Sequence, residues 1–152
     1  MSARRVLVTG GSKGIGRAAA GALARRGWRV AMVARDQRAL ESARGELAGE
    51  GHEAFAMDVA DEAAWEQLAP GLEDLHGLVC AAAVLDPVGP IGRYSVADFR
   101  RTLEVNVVGT LAAIHACLPA LSASRQRTDA REKSCPICWY CLASSESACF
   151  SA

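Results

Sequence analysis

Glycines at 10, 14 and 16 and a lysine at 13, close to two hydroxyl side chains, are the first residues in this chain able to do chemistry. In Val6-Leu7-Val8-Thr9-Gly10-Gly11-Ser12-Lys13-Gly14-Ile15-Gly16 an apolar run, a glycine-rich turn and an alanine-rich amphipathic stretch follow one another without a gap. That order reads as a strand, a tight loop and the start of a helix. Gly10 lets the chain turn, Gly14 leaves room for a pyrophosphate against the backbone, and Gly16 lets helix and strand pack closely. The free N–H groups of the helix start face an anion, with the positive end of the helix dipole behind them. The chemistry on offer is phosphate binding, and a dinucleotide is the ligand it suits. A loop that merely turns the strand is the plainer reading of three glycines alone, and it gives way as the later residues agree.

A second chemical position follows the apolar run Val30-Ala31-Met32-Val33-Ala34. In a dinucleotide fold the residue after the second strand meets the adenosine ribose, where a carboxylate holds a 2′-hydroxyl and an arginine accommodates a 2′-phosphate. Arg35 stands there, Lys13 adds a second cation and Asp36 a single carboxylate, so NADP(H) is favoured over NAD(H). Solvated surface charges are the alternative for both cations. Asp58, after a third apolar run, either meets a ligand or caps the loop before Asp61. Asn106 lies beside an apolar helical stripe, and taken by itself it reads as a core amide that has found its partners. The segment Cys135-Pro136-Ile137-Cys138-Trp139-Tyr140-Cys141, with Cys149 beyond it, could turn thiolates toward one ion. Its spacing completes no zinc or iron–sulfur signature, and no metal ligand is assigned. Cys80 and Cys117 sit in apolar runs and read as core thiols.

The elements that must position these residues follow from periodicity. A helix over 17–26 puts Ala18, Ala19, Ala22 and Leu23 near one face and stops at Gly27. Val30–Ala34 is a buried strand, Leu40, Ala43 and Leu47 mark a second helix, and Ala54 to Val59 reads as a third strand. Trp65, Leu68, Leu72 and Leu75 recur at helical spacing before Gly77 and read as core. Leu78 to Val84 is a fourth strand running into small residues, and residues 85–94 form a loop of turn signals over the site mouth. Ser95 and Asp98 resemble a capping box. Val96, Phe99, Leu103, Val107, Leu111, Ile114, Leu118 and Leu121 then recur every three or four residues, which predicts one long amphipathic helix. Strands alternating with helices imply an α/β fold with a parallel sheet, and the glycine loop at its first strand–helix turn makes it Rossmann-type, doubly wound in the order 3-2-1-4 with helices on both faces.

Thr9-Gly10-Gly11-Ser12-Lys13-Gly14-Ile15-Gly16 closely resembles the cofactor loop of the short-chain dehydrogenase/reductase family, and the resemblance covers residues 4 to about 122. It implies that these eight residues, with Arg35, border an NADP(H) cofactor. An Asp-Val pair at the third strand contacts the adenine in that family, which assigns the role to Asp58 and Val59. The usual Asn-Asn-Ala-Gly is replaced by Cys80-Ala81-Ala82-Ala83, so only the smallness of Ala81, Ala82 and Ala83 survives beside the cofactor. Glu104 to Thr110 is similar to the stretch bearing the catalytic-site asparagine, which Asn106 would supply. The implied activity is hydride transfer between the nicotinamide and a small carbonyl or alcohol substrate. The family's active-site serine and Tyr-x-x-x-Lys are missing: Tyr140 is followed four residues later by Ser144. In the family that tyrosine moves the proton of the substrate oxygen while the lysine lowers its pKa, and an unassisted phenol titrates near ~10.

With 152 residues, no formal net charge and 51% hydrophobic residues, the chain suits one domain core and shows no bias toward nucleic acid. No secretory h-region follows the short basic start and no stretch reads as long enough to span a bilayer, so a cytoplasmic protein without a membrane partner is expected. The predicted division is a partial dinucleotide-binding domain over 1–123 and a Cys/Ser-rich tail of no recognised fold over 124–152. Residues 125–152 lack glycine, although all 14 glycines occur by residue 109, which suggests a shifted reading frame or an alternative end. A sheet ending at the fourth strand would expose an edge, be marginally stable and be catalytically silent, with Ile137 to Leu142 apolar enough to patch it. The helix over 95–122 is available for homo-oligomer contact. Two other classes stay open: a non-catalytic dinucleotide-binding or interaction protein, and a metal-binding tail module.

Overall fold

The computed structural model describes residues 3–85, 88–93 and 95–127. Its elements are β1 (Arg5–Thr9), α1 (Gly14–Arg25), β2 (Arg29–Ala34), α2 (Gln37–Gly45), β3 (Glu53–Ala56), α3 (Glu62–Leu68), β4 (Leu75–Cys80), α4 (Val96–Leu103) and α5 (Gly109–Arg127). The four strands are parallel and lie in the order β3-β2-β1-β4, as the Rossmann-type reading predicts. Both faces of a parallel sheet are covered by its crossover helices, so its central strands must be apolar on both sides. Accordingly β1 sends Val6 and Val8 toward Ala20 and Ala24 of α1 and Leu40 of α2, while Leu7 faces Trp65, Cys117 and Leu121 on the opposite side.

The elements depart from their sequence-predicted bounds where local pattern and tertiary packing compete. β3 ends at Ala56, so Asp58 and Val59 lie in the turn that follows it. Leu75, expected on a helix, opens β4, because α3 stops at Leu68 and a 3-10 turn over Ala69–Leu72 with Pro70 redirects the chain. Ala81 to Val84 lie beyond the end of that strand. In α1 the packed face is Gly16, Ala20 and Ala24 with Leu23 beside them, while Ala18 and Ala22 are exposed.

The largest correction concerns the long helix. Residues 96–124 are continuously helical, but a π-helical segment over Glu104–Val108 separates α4 from α5. The extra residue of a π turn shifts the phase of everything after it. The face that meets the sheet and α3 is Val105, Ala113, Cys117 and Leu121. Of the stripe expected to be core, Val96, Phe99, Leu103, Val107, Leu111 and Leu118 are all exposed. Small residues allow the helix to lie close to β4, and the larger ones point away. This stretch is also long and apolar enough to cross a membrane by length and composition, contrary to the sequence reading that no stretch is. Residues 105–124 carry no Asp, Glu, Lys or Arg. In the fold about a third of the most apolar part of this stretch is buried.

Helix α5 passes through the expected domain boundary at 123/124 and runs to Arg127. The tail cysteines, Tyr140, Ser144 and the strand-like Ile137 to Leu142 lie outside the described residues. Cys80 and Cys117 are free thiols, and burial pushes their pKa values up to about 11 and about 12. They stay protonated at neutral pH, which suits packing rather than chemistry.

Candidate cofactor cleft

A cleft of about 660 Å³ opens at the carboxyl ends of the strands, where ligands bind in open α/β sheets. Its walls are Gly10, Ser12, Lys13, Gly14 and Ile15 from the β1–α1 loop, Ala34, Arg35, Asp36 and Ala39 after β2, Met57, Asp58 and Val59 after β3, and Ala81 to Val84 with Val105 on the far side. Eleven of the expected site residues meet there. Thr9, Gly11, Gly16 and Asn106 are absent from the walls; Thr9 and Asn106 support them through hydrogen bonds, and Gly11 and Gly16 pack closely behind them.

The β1–α1 loop is built on glycine for three separate reasons. Gly10 has φ +70°, and a Cβ there would lie 2.7 Å from the backbone of Ala81 and Ala82, so the loop touches the far wall. Gly14 has φ +55° and nothing within 4 Å of a Cβ position, which keeps the start of α1 open to the cleft. A Cβ on Gly16 would lie 2.2 Å from the Gly10 carbonyl oxygen, so it is the loop, rather than the strand, that the helix closely meets. Lys13 is the N-cap residue of α1 and makes no side-chain capping bond. The first-turn N–H groups of a helix have no intrahelical acceptor, and these face the cleft.

Thr9 is buried, and its hydroxyl oxygen accepts from the Ala81 and Ala82 N–H groups, at 3.2 Å each. The threonine thereby ties the β4 end to the glycine loop. The Asn106 amide bonds twice to one residue: its Oδ1 accepts from the Val84 N–H at 2.8 Å and its Nδ2 donates to the Val84 carbonyl at 2.9 Å. Its own carbonyl accepts from the Thr110 hydroxyl. Asn106 is therefore a strut that holds the 81–84 wall, and the π turn is what carries its amide to Val84.

Two residues escaped sequence reasoning. Gly109 brings α5 so near the β3–α3 turn that a Cβ would meet Val59 Cγ2 at 2.8 Å; its position three residues after Asn106 was the available signal. Val59 is pinned from the other side by the buried Trp65 indole, which donates to its carbonyl at 2.8 Å. Arg101 of α4 donates to Asp58 Oδ2 at 2.5 Å, while Asp58 Oδ1 accepts from the Ala60 N–H at 3.0 Å. Burial raises the Asp58 pKa, but the Ala60 N–H, the Arg101 guanidinium and the charge of Arg35 outweigh it and hold the carboxyl below its ordinary value. Asp58 thus caps its turn and borders the cleft at once, so the two sequence readings were not exclusive. Asp36 is the N-cap of α2, accepting from the Ala39 N–H at 3.0 Å. Among the described residues no group of three His, Cys, Asp or Glu side chains could hold a metal ion.

A parallel sheet in this order with a glycine loop at a helix start defines a Rossmann-type fold. The sequence model of the family described as short chain dehydrogenase matches residues 4–129, and the chain belongs to that family. It is 36% identical over 115 residues to a human 3-oxoacyl-[acyl-carrier-protein] reductase, covering 73% of this chain and 48% of that protein. With a serine 3-dehydrogenase of Agrobacterium fabrum it shares 31% identity over 120 residues, 76% of this chain and 48% of the relative. Among solved structures, a short chain dehydrogenase from Escherichia coli CFT073 complexed with NADPH superposes with a TM-score of 0.75 at 30% identity, over 80% of this chain and 54% of that one. The chain spans about half the length of the curated relatives it matches.

Proposed function

We propose that this chain binds NADP(H) in the cleft and is the cofactor-binding part of an oxidoreductase acting on a small carbonyl or alcohol. The observation that carries the choice of cofactor is the charge at the β2 end: Arg35 borders the cleft beside Lys13, and the competing Asp36 carboxylate is engaged in capping α2. An arginine here suits a 2′-phosphate, whereas a free carboxylate would suit a 2′-hydroxyl. The relationship to an NADPH-complexed structure supports the same reading.

Each part of the cleft has a task under this reading. The N–H groups at the start of α1 receive the pyrophosphate, Gly14 offers it open space, and Asp58 with Val59 borders the adenine. The small Ala81-Ala82-Ala83 segment, held in place by Thr9 and Asn106, leaves room for the nicotinamide half. The nicotinamide supplies or accepts a hydride; the accompanying proton needs an acid or base, and proton transfer by a placed group is worth roughly 10²–10⁴-fold. The 152 residues include no Tyr-x-x-x-Lys, so this chain as written binds the nucleotide without ordinary turnover. That behaviour is also what a non-catalytic dinucleotide-binding protein would show. The exposed stripe of α4 and α5 is the surface proposed for pairing with a second copy.

Fluorescence titration tests the reading. NADPH binds more tightly than NADH, by about 1.5–3 kcal/mol for each good charge-assisted contact to the 2′-phosphate, and Arg35→Asp reverses the order. Equal affinity of the unaltered chain for both nucleotides overturns the cofactor choice. NADPH consumption near ordinary enzyme rates with ketones or aldehydes overturns the expectation of binding without turnover.

A further inference from the structure

We propose that Arg101, on α4 and outside the cleft, is a positioning residue that sets the preference between a 2′-phosphate and a 2′-hydroxyl, by holding and neutralising Asp58 so that Arg35 stays available to the phosphate. This inference rests on the cofactor reading above. Three charges carry it. Asp58 and Arg35 border the same cleft from the ends of β3 and β2, and Arg35 lies close enough for its charge to act on the Asp58 carboxylate. Arg101 approaches Asp58 from α4, and with the Ala60 N–H it occupies both carboxylate oxygens. The Asp58 side chain is 29% exposed and that of Arg101 46%, so the pair is partly screened, and Asp58 itself stands on the cleft wall.

Without Arg101, Asp58 would keep one unpaired oxygen and a full negative charge at the cleft wall. The other cation whose charge acts on it is Arg35. An Arg35 drawn onto Asp58 would no longer present its fork to a phosphate, and the uncompensated carboxylate would repel that phosphate as well. A nucleotide carrying only a hydroxyl on the ribose would feel neither loss. The adenine ring is common to both nucleotides, so a purely structural role for Arg101 would weaken both alike.

The test is fluorescence titration of NADPH and NADH with the full chain and three variants. Arg101→Ala lowers NADPH affinity roughly 5- to 10-fold, with a change of about 2-fold or less for NADH. Arg101→Lys keeps the charge and retains most of the preference, and Asp58→Asn combined with Arg101→Ala restores it by removing the carboxylate that Arg101 neutralises. In the nucleotide-free protein, the Asp58 carboxyl resonance titrates at higher pH in Arg101→Ala than in the unaltered chain. Equal weakening of both nucleotides, no weakening of either, or an unmoved Asp58 titration overturns the inference. If the unaltered chain prefers NADPH while Arg101→Ala changes nothing, this inference alone fails. If the unaltered chain shows no preference, the cofactor reading fails and the inference falls with it.

Discussion

The β1–α1–β2 end and the α4–α5 helix both border the same cleft, yet they are held in place by different physics. At the first, geometry is set by what a glycine backbone can do and how near two backbones can lie: Gly10 and Gly14 occupy positive φ, and Gly16 leaves no space for a single carbon. In the second, no residue has positive φ, and close approach enters only where Gly109 meets Val59. Its geometry comes from a π turn that moves the packing face onto Val105, Ala113, Cys117 and Leu121, and from one amide bonded twice to Val84. The lesson is that a local steric constraint leaves its mark in the residue types, whereas a choice between two helix faces does not.

Three substitutions sharpen that contrast. The largest effect belongs to Gly16→Ala. The added carbon would meet the Gly10 carbonyl oxygen, which is backbone and cannot rotate away, so the glycine loop must move. A loss of about 3 kcal/mol in urea unfolding is expected, at the upper end of overpacking costs, together with loss of measurable NADPH binding. If Gly16→Ala folds and binds as the unaltered chain does, the loop is not sterically fixed and the contrast collapses.

Asn106→Ala comes next. It strands both the N–H and the carbonyl of Val84, which among the described residues have only the Asn106 amide as a side-chain partner. Leaving a buried or half-buried polar group unsatisfied costs about 1–3 kcal/mol, and water reaching the wall moderates it here, so about 2 kcal/mol is expected. Faster amide hydrogen exchange at Val84 is the specific readout. Unchanged exchange there would show that the wall is held by Thr9 alone.

The smallest effect is expected on the outer face of α5. Leu111 is 51% exposed, so Leu111→Gln should change unfolding free energy by no more than about 0.5 kcal/mol, while weakening any self-association seen by analytical ultracentrifugation. A loss of 2 kcal/mol or more in a monomeric sample would mean that Leu111 is core after all and that the helix phase described above is wrong.

What the sequence determined by itself is the part of the molecule governed by near neighbours. The glycine loop, the apolar strand before it and the cation after β2 are legible because backbone conformation and parallel-strand burial restrict residue type position by position. The parallel sheet followed from the alternation of strands and helices, and its order from the Rossmann-type reading of the glycine loop. Tertiary structure alone decided the rest. Whether large or small residues of the long helix faced the sheet depended on how near β4 could approach, and the alanines and Cys117 allowed the closer packing. Asn106 was legible as a residue in need of partners, but not which ones, because Val84 is brought to it by the fold and not by the chain. Asp58 likewise could be placed at the end of its strand. Its link to Arg101, 43 residues away, exists only once α4 crosses over the β3 end, and an ion pair between exposed, rotatable side chains leaves no periodic signal in sequence from which to find it.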